Sequence, residues 1–219
     1  MAEIIRLDKE AESIQYLCRK DKRLAKVIQM VGPIEYSPYR DSYSFIVNQI
    51  IGQMLSNKVR DVIYGRLLVL CKDHLTAETI SGLSDEEIRG IGISNAKVRY
   101  IRSFTEAMRQ IDFDAFPQME DEEIIKRLTK LPGIGTWTAK MYLIFAMDRQ
   151  NVLPVEDMAF LQGYRWTYKT EDVSPASVRK KCRKWSPYAS IAARYMYQAL
   201  DLGLTRQEFH LYKDTRGTK

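Results

Sequence analysis

The chain has 219 residues, of which 45% are hydrophobic and 28% are charged, and these ordinary globular proportions exclude a disordered or low-complexity protein. Its formal net charge is +6, and residues 165–219 hold 12 Lys and Arg against 5 Asp and Glu, so the positive excess lies in the last quarter. Localised basicity is typical of a protein that binds a polyanion, nucleic acid first, although a basic surface without a partner has the same composition.

The cysteines and histidines argue against a metal centre. Cys18, Cys71 and Cys182 are widely spaced and form no CxxC pair, which disfavours zinc and iron–sulfur sites and fits a reducing compartment. Two histidines are too few for a histidine-rich metal site. The longest apolar run, residues 141–147, is far too short for a membrane span, and residues 1–13 have no apolar signal core. We therefore expect a cytoplasmic protein.

Helical periodicity dominates the chain. Apolar residues recur at three- and four-residue spacing from Ile46 to Leu67, and again from Val98 to Met108. Helix start signals are frequent, and the clearest is the capping box Ser84-Asp85-Glu86-Glu87. No stretch has the sustained alternation that a half-buried strand needs. We predict an all-α protein of about ten short helices.

A short sequence occurs twice between helical segments. Residues 90–97, GIGISNAK, match residues 133–140, GIGTWTAK, at five of eight positions. Two copies do not make a solenoid. They indicate one local structure that is used twice.

The second copy lies in Leu131-Pro132-Gly133-Ile134-Gly135-Thr136, which has the pattern of a tight turn between two helices. Pro132 ends the preceding helix, and the two glycines allow a sharp turn and close approach of a ligand to the backbone. A helix that starts near Thr136 would expose its first amides, which can bind a phosphate without reading a base. Taken alone, the same pattern also fits a plain helix–helix turn.

The wider context of this turn resembles the helix-hairpin-helix DNA glycosylase superfamily. The sequence LPGIGTWTA is similar to the hairpin of that superfamily, and Asp157, 22 residues after Gly135, matches its catalytic aspartate. Residues 50–56 resemble the early helix and wedge loop, and residues 185–190 resemble the Trp-x-Pro start of the last helix. The resemblance is nearest to the 3-methyladenine DNA glycosylase II, or alkylbase glycosylase, branch.

The resemblance implies two helical subdomains with the active-site cleft between them. Residues 42–149 would form the central subdomain, which carries the wedge loop and the hairpin. Residues 1–41 and 150–219 would form the second subdomain, which carries the catalytic aspartate at the cleft.

The resemblance also implies catalytic roles. Asp157 would stabilise positive charge on the sugar or direct water to it, and Glu156 is its rival. Trp137 occupies the position where bifunctional members carry a Schiff-base lysine, so the resemblance implies a hydrolase without lyase activity. In the alkylbase branch the base pocket would contain Trp137 and Tyr197. The second aromatic position of the hairpin helix falls on Met141, with Tyr142 adjacent, which is a departure from the branch.

DNA contacts are implied for the wedge loop and the two turns, and the basic cluster is a further candidate. Met54 would be the apolar wedge, and Gln53 would contact the opposite strand. The basic cluster, residues 179–184, faces either DNA or solvent. The remaining contacts are expected from the two turns, at Gly133, Ile134, Gly135, Thr136 and Thr138 in one and at Ser94, Asn95 and Lys97 in the other.

The resemblance thus implies a monofunctional DNA glycosylase of base excision repair that flips out and releases alkylated purines of the 3-methyladenine type. The alternatives are a glycosylase for another lesion, such as oxidised guanine or a mismatch base, or a non-catalytic DNA-binding module. We expect no cofactor and no metal, except that carbonyls from Leu131 to Gly135 can hold a monovalent cation in this family. The partner would be double-stranded DNA with a damaged base, bound by a monomer away from membranes, at the nucleoid of a prokaryote or in a eukaryotic nucleus.

Overall fold

The protein is described by a computed structural model over residues 4–108 and 110–212. This part of the chain is mostly helical, with twelve α-helices and one two-stranded sheet, which confirms the predicted fold class. The strands β1 (Ile5–Leu7) and β2 (Ile34–Tyr36) are antiparallel, with Leu7 opposite Ile34. They were not predicted, because three residues are too few to show an alternating pattern.

The helices are short and follow one another closely. In chain order they are α1 (Glu12–Lys20), α2 (Lys22–Val31), α3 (Ser42–Gly52), α4 (Asn57–Leu70), α5 (Ala77–Gly82), α6 (Asp85–Gly90), α7 (Asn95–Ala107), α8 (Asp121–Leu128), α9 (Thr136–Phe145), α10 (Met158–Tyr168), α11 (Pro175–Cys182) and α12 (Ala189–Asp201).

Side-chain caps explain where several of these helices begin. The Asp41 carboxylate accepts hydrogen bonds from the first amides of α3, and the Asp21 carboxylate does the same for α2. Ser84 and Glu87 form the predicted capping box of α6. Ser56 caps α4, so the apolar series from Ile46 to Leu67 is divided between two helices.

The chain divides into two compact units, which we name the terminal unit (residues 1–38 and 148–219) and the central unit (residues 39–147). The expected boundaries were residues 41/42 and 149/150. The ends of the central unit are hydrogen-bonded to each other, because the Tyr39 amide donates to the Phe145 carbonyl over 2.9 Å.

The core of the terminal unit surrounds α12, which packs against α10 and α2. Trp185 and Tyr195 are fully buried there. The Trp185 indole Nε1 donates to the buried Asp21 carboxylate over 3.0 Å, so the predicted Trp-x-Pro segment is held by an N-cap of α2. Tyr168 also donates to Asp21, and Lys184 forms an ion pair with it.

The core of the central unit is aromatic. The rings of Tyr43 and Phe104 are stacked, with centroids 5.5 Å apart. The rings of Phe113 and Phe116 each make an edge-to-face contact with the ring of Tyr142. This packing holds α3, α7 and α9 together and so positions the turns that precede α7 and α9. No described helix has the combination of length and hydropathy needed to cross a bilayer.

Candidate nucleic-acid interface and catalytic carboxylate

The main hairpin, residues 131–136, has the predicted tight geometry. Gly133 has φ +80°, and a Cβ there would lie 2.2 Å from Cγ of Tyr100, so no larger residue fits. Ile134 is buried and anchors the turn in the core. Gly135 is the N-cap of α9 and has no side chain to bond the first amides of that helix. The exposed start of α9 therefore presents amides and a positive dipole end to an anion.

A second hairpin, residues 91–95, has the same geometry. Gly92 has φ +105°, Ile93 is buried, and Ser94 is the N-cap of α7. The buried isoleucine and the N-cap follow the left-handed glycine in the same order as in the main hairpin.

The same local structure is thus used twice. The alignment of the two copies by sequence identity, however, differs by two residues from their alignment by backbone conformation. The identities pair Gly90 with Gly133, whereas the backbone pairs Gly92 with Gly133. Gly90 belongs to α6 because that helix continues to the residue before the turn. Ser94 Oγ also accepts from the Lys97 amide over 3.5 Å, which the glycine cap of the main hairpin cannot do.

The wedge loop, residues 53–56, connects α3 to α4. Met54 has φ +59° and its side chain is completely exposed, with a relative accessibility of 102%. The left-handed backbone of a methionine is strained, and an exposed side chain makes no packing contacts that offset the strain. This conformation suits the predicted wedge.

Two hydrogen-bonding side chains join the wedge loop to the main hairpin and to α7, the helix that follows the second hairpin. Gln53 Nε2 donates to the Gly133 carbonyl over 2.7 Å. Lys97 Nζ donates to the Ile51 carbonyl over 2.7 Å and to the Gln53 carbonyl over 2.8 Å. The ammonium of Lys97, expected at a phosphate, therefore holds the end of α3, and burial lowers its pKa. The described geometry makes Lys97 a support of the wedge loop.

Three of the hairpin carbonyls that were expected near a cation accept hydrogen bonds. The carbonyl of Leu131 accepts from the Ile134 amide, and that of Gly135 accepts from the Ala139 amide. The Gly133 carbonyl accepts from Gln53. Each carbonyl oxygen keeps a second lone pair, so the expected monovalent cation stays a prediction. No group of three or more His, Cys, Asp or Glu that could hold a metal occurs in residues 4–108 and 110–212.

The side chains of α9 divide by the face on which they lie. Thr136 is exposed and Trp137 is half-buried at the first turn. Thr138 is only 1% exposed, so its side chain is a core group and not the DNA contact that we expected. Its inward direction follows from its place two residues after Thr136 on the helix.

Met141 and Tyr142 are both buried, and Tyr142 is a correction to the predicted base pocket. Its hydroxyl lies 2.7 Å from Ser42 Oγ, and its ring contacts the aromatic core of the central unit. Adjacent residues of a helix point about 100° apart. Tyr142 therefore cannot supply the aromatic ring that the alkylbase branch has at the position of Met141.

Asp157 is the N-cap of α10 and is 6% exposed. Its Oδ1 accepts from the Phe160 amide over 2.7 Å, and the positive end of the helix stabilises a negative carboxylate there. Glu156, its rival, lies 3.7 Å from Arg179 in an ion pair and is more exposed. Asp157 is therefore the buried, oriented carboxylate of the two.

Tyr197 of α12 lies beside Asp157. Burial raises the pKa of the Tyr197 hydroxyl well above its ordinary value, and the nearby negative charge of Asp157 raises the pKa further. The hydroxyl therefore stays protonated. Tyr197, expected as a pocket aromatic, is thus close enough to the predicted catalytic group to feel its charge.

Part of the basic cluster is neutralised within the terminal unit. Arg179 pairs with Glu156, and Lys184 lies 3.0 Å from Asp21. Lys181 lies over the Tyr168 ring at 5.1 Å. The structure thus gives these residues contacts inside their own unit.

Sequence reasoning missed Arg194 and its partner Asp148. Arg194 is buried on α12 and donates from Nη2 to Asp148 Oδ1 over 3.1 Å. The available signal was a single cation in the apolar run Ile191-Ala192-Ala193-Arg194-Tyr195-Met196, since a buried arginine needs a partner.

Comparisons with known proteins show which family the chain resembles. Residues 47–187 match the family described as HhH-GPD superfamily base excision DNA repair protein. A DNA-3-methyladenine glycosylase 1 from Schizosaccharomyces pombe is 27% identical over 187 residues, which cover 83% of this chain and 82% of that protein.

Two solved structures have a similar fold. A DNA-3-methyladenine glycosidase from Bacillus halodurans matches with a TM-score of 0.78 and 28% identity, over 89% of this chain and 92% of that chain. A Schizosaccharomyces pombe 3-methyladenine DNA glycosylase in complex with abasic DNA matches with a TM-score of 0.78 and 24% identity, over 93% of this chain and 100% of that chain, which supports the fold.

Proposed function

The chain belongs to the HhH-GPD superfamily of base excision DNA repair proteins, and from this premise we propose that it is a monofunctional DNA glycosylase that releases alkylated purines of the 3-methyladenine type. The names of the relatives, glycosylases and a glycosidase for 3-methyladenine, support this substrate class. The protein would act as a monomer on double-stranded DNA with a damaged base, in the compartment that holds the genome.

The buried carboxylate of Asp157 carries the proposal. Cleavage of an N-glycosidic bond builds positive charge on the sugar, and an ionised carboxylate stabilises that charge or directs water to it. The hydrogen bond from the Phe160 amide fixes the orientation of the Asp157 carboxylate at the start of α10. Asp157 is thus pre-organised for the charge that develops in the transition state.

The aromatic side chain of Trp137 supports hydrolysis of a cationic base. Alkylation at a purine ring nitrogen makes the base positive and a better leaving group, so no strong general acid is required. An indole face attracts such a cation through its quadrupole. An indole also cannot form the Schiff base that a lyase reaction needs, which supports water as the nucleophile, with Lys140 one helical turn away as the alternative amine.

The amides of the main hairpin would bind the DNA backbone. They recognise phosphate and carry no sequence information, which fits an enzyme that must search undamaged DNA. Met54 would fill the space left by the flipped nucleotide, and Gln53 lies beside it.

The test is a comparison of Asp157→Asn with Glu156→Gln, which removes one negative charge from the adjacent carboxylate. Single-turnover release of 3-methyladenine from an alkylated duplex should fall by about 10³-fold or more in Asp157→Asn, because the transition-state charge loses its partner. Glu156→Gln should stay within about threefold of wild type, and both variants should still bind the duplex.

Wild-type release from duplexes with uracil or 8-oxoguanine should be slower than release of 3-methyladenine. Faster excision of a neutral lesion would contradict the alkylpurine assignment. Activity of Asp157→Asn within tenfold of wild type would place the catalytic carboxylate elsewhere.

A further inference from the structure

We propose that the terminal unit has a phosphate-binding site of its own, in a cavity between the end of α10 and the start of α11. The cavity has a volume of about 590 Å³, and every residue that lines it belongs to the terminal unit. Small-ligand sites have volumes of about 300–1,000 Å³, so the cavity is large enough for one. None of the residues proposed for base release lines it, so the site goes beyond the proposed function and does not depend on it.

The wall of the cavity contains a buried tyrosine whose hydroxyl has no protein partner. Tyr164 lines the cavity and is only 3% exposed. Its ring packs against the rings of Phe160 and Tyr168, with centroids 6.4 Å and 4.8 Å away. In the part of the chain that the structure describes, no group forms a hydrogen bond with the Tyr164 hydroxyl. Because buried tyrosines usually place the hydroxyl against a partner, this one fits a ligand that supplies an acceptor.

Two lysines of α11 bring ammonium groups to the same cavity. Lys180 and Lys181 both line it, and neither has an acidic partner within the described residues. Lys181 Nζ lies 5.1 Å from the centroid of the Tyr168 ring, a cation–π contact that limits the movement of the ammonium. Tyr168 is itself fixed, because its hydroxyl donates to the Asp21 carboxylate.

The hydroxyl and carboxyl groups at the start of α11 are already arranged. Thr170 Oγ1 accepts from the Asp172 amide over 3.2 Å, which leaves its own hydrogen for another acceptor. The Asp172 carboxylate accepts from the hydroxyls of Ser174 and Ser177 over 2.7 Å and 2.5 Å. Asp172 therefore holds the first turn of α11 and is not left to attract a cation.

The charges of the lining favour an anion. Lys169 is paired with Glu208, so it adds no net charge. The Asp172 carboxylate opposes an anion, but the two lysines of α11 carry twice its charge. The groups left to bind a ligand are all donors, namely the hydroxyls of Tyr164 and Thr170 and the ammonium groups of Lys180 and Lys181. Phosphate oxygens are strong acceptors, and a phosphodiester has no donor, so a phosphate group matches this set.

The test follows inorganic phosphate by NMR on the full chain, at fixed pH and ionic strength. The amide signals of Thr170 and Ser177 should shift and saturate as phosphate is added, with a Kd of about 1 mM. Tyr164→Phe removes one hydroxyl and keeps the ring, and it should raise that Kd by about fivefold. Lys181→Met removes a charge and keeps an apolar stem, and it should raise the Kd by about tenfold.

The matched controls are Tyr212→Phe and Lys9→Met, because Tyr212 is 89% exposed and the Lys9 side chain is 90% exposed. Neither should change the Kd. Signals that do not shift, or a wild-type Kd in either cavity variant, would overturn the proposal. Lys181 is exposed, so Lys181→Met tests the site even if Tyr164→Phe does not fold.

A second measurement identifies where the phosphate comes from. If the ligand is the DNA backbone, affinity for undamaged duplex at fixed salt should fall by about threefold in Tyr164→Phe, and inorganic phosphate should compete with the duplex. Wild-type duplex affinity together with weakened phosphate binding would identify free phosphate as the ligand, and either result retains the site. Base release is not a readout here, so an active Asp157→Asn would defeat the proposed function and leave the phosphate site untouched.

Discussion

At the scale of single residues, the two glycines of the main hairpin have different reasons to be glycine. Gly133 has a left-handed backbone and lies against the Tyr100 ring. Gly135 has φ −91°, which any residue adopts, and a Cβ there would meet no atom within 4 Å. Gly133 is therefore required by the fold, whereas Gly135 leaves room for something that approaches from outside.

This difference predicts opposite outcomes for two alanine substitutions. Gly133→Ala should lower the free energy of unfolding by more than about 2 kcal/mol, because it adds both backbone strain and a clash. Gly135→Ala should change it by less than about 1 kcal/mol but weaken DNA binding, because its methyl group occupies the approach of a phosphate. Chemical denaturation and a binding titration at fixed salt measure both. Wild-type affinity in Gly135→Ala would mean that phosphate does not approach there.

At the scale of elements, the wedge loop depends on supports from outside itself. Gln53 is bonded to the main hairpin, and Lys97 brings an ammonium from α7 to the end of α3. The exposed, left-handed Met54 lies between these supports. The loop therefore depends on the main hairpin and on α7 for its shape.

Substitution of Lys97 by methionine removes the ammonium and keeps an apolar stem. Lys97→Met should reduce single-turnover release by about tenfold, because the wedge is less well positioned, while affinity for undamaged duplex changes little. Lys9→Met is the matched control, since Lys9 is 90% exposed and its loss removes the same charge. If the two variants lose undamaged-DNA affinity equally and excise at wild-type rates, Lys97 does not support the wedge.

The hairpins also show what sequence alone could predict. Pro132, the glycines and the helix start predicted the main hairpin, because each has a local conformational preference. The register of the repeat was wrong. The alignment by sequence identity paired Gly90 with Gly133, but Gly90 belongs to α6, and the turn begins only where that helix ends. Tyr142 and Thr138 were misplaced for a related reason, since the face on which a helical residue lies is decided by packing.

At the scale of the whole molecule, the fold class could be predicted from periodicity, but the buried polar network around Asp21 could not. It joins Asp21 of the N-terminal segment to Tyr168, Lys184 and Trp185 near the other end of the chain. Contacts between residues so distant in sequence leave no local pattern. Such networks are costly when only partly satisfied, so this one should be important for stability.

The network predicts a dependence of stability on pH. Burial alone would raise the pKa of Asp21, but hydrogen bonds from Tyr168, Trp185 and Lys184 outweigh it and lower the pKa below its ordinary 3.8. A lowered folded-state pKa gives stability that is present above the unfolded-state value and lost as pH falls through the folded-state value, so the loss should begin near pH ~4 and continue below it.

Asp21→Asn should lower the free energy of unfolding at pH 7 by about 2–4 kcal/mol and reduce the loss below pH ~4. Urea denaturation at several pH values measures both effects. An unchanged acid slope in the variant would assign that slope to other carboxylates.

Each unit has a contact between segments that are far apart in the sequence, and these two contacts have a consequence for folding during synthesis. Tyr36 is bonded to Asp148, so the first part of the terminal unit is joined to a residue that is synthesised more than a hundred positions later. The central unit is one continuous segment whose own ends meet at Tyr39 and Phe145. A ribosome that has released residues 39–147 has supplied everything the central unit needs, whereas residues 4–38 still lack the helices against which they pack. We therefore expect the terminal unit to fold only after its C-terminal helices have been synthesised, so that the Asp157 carboxylate reaches its final position last.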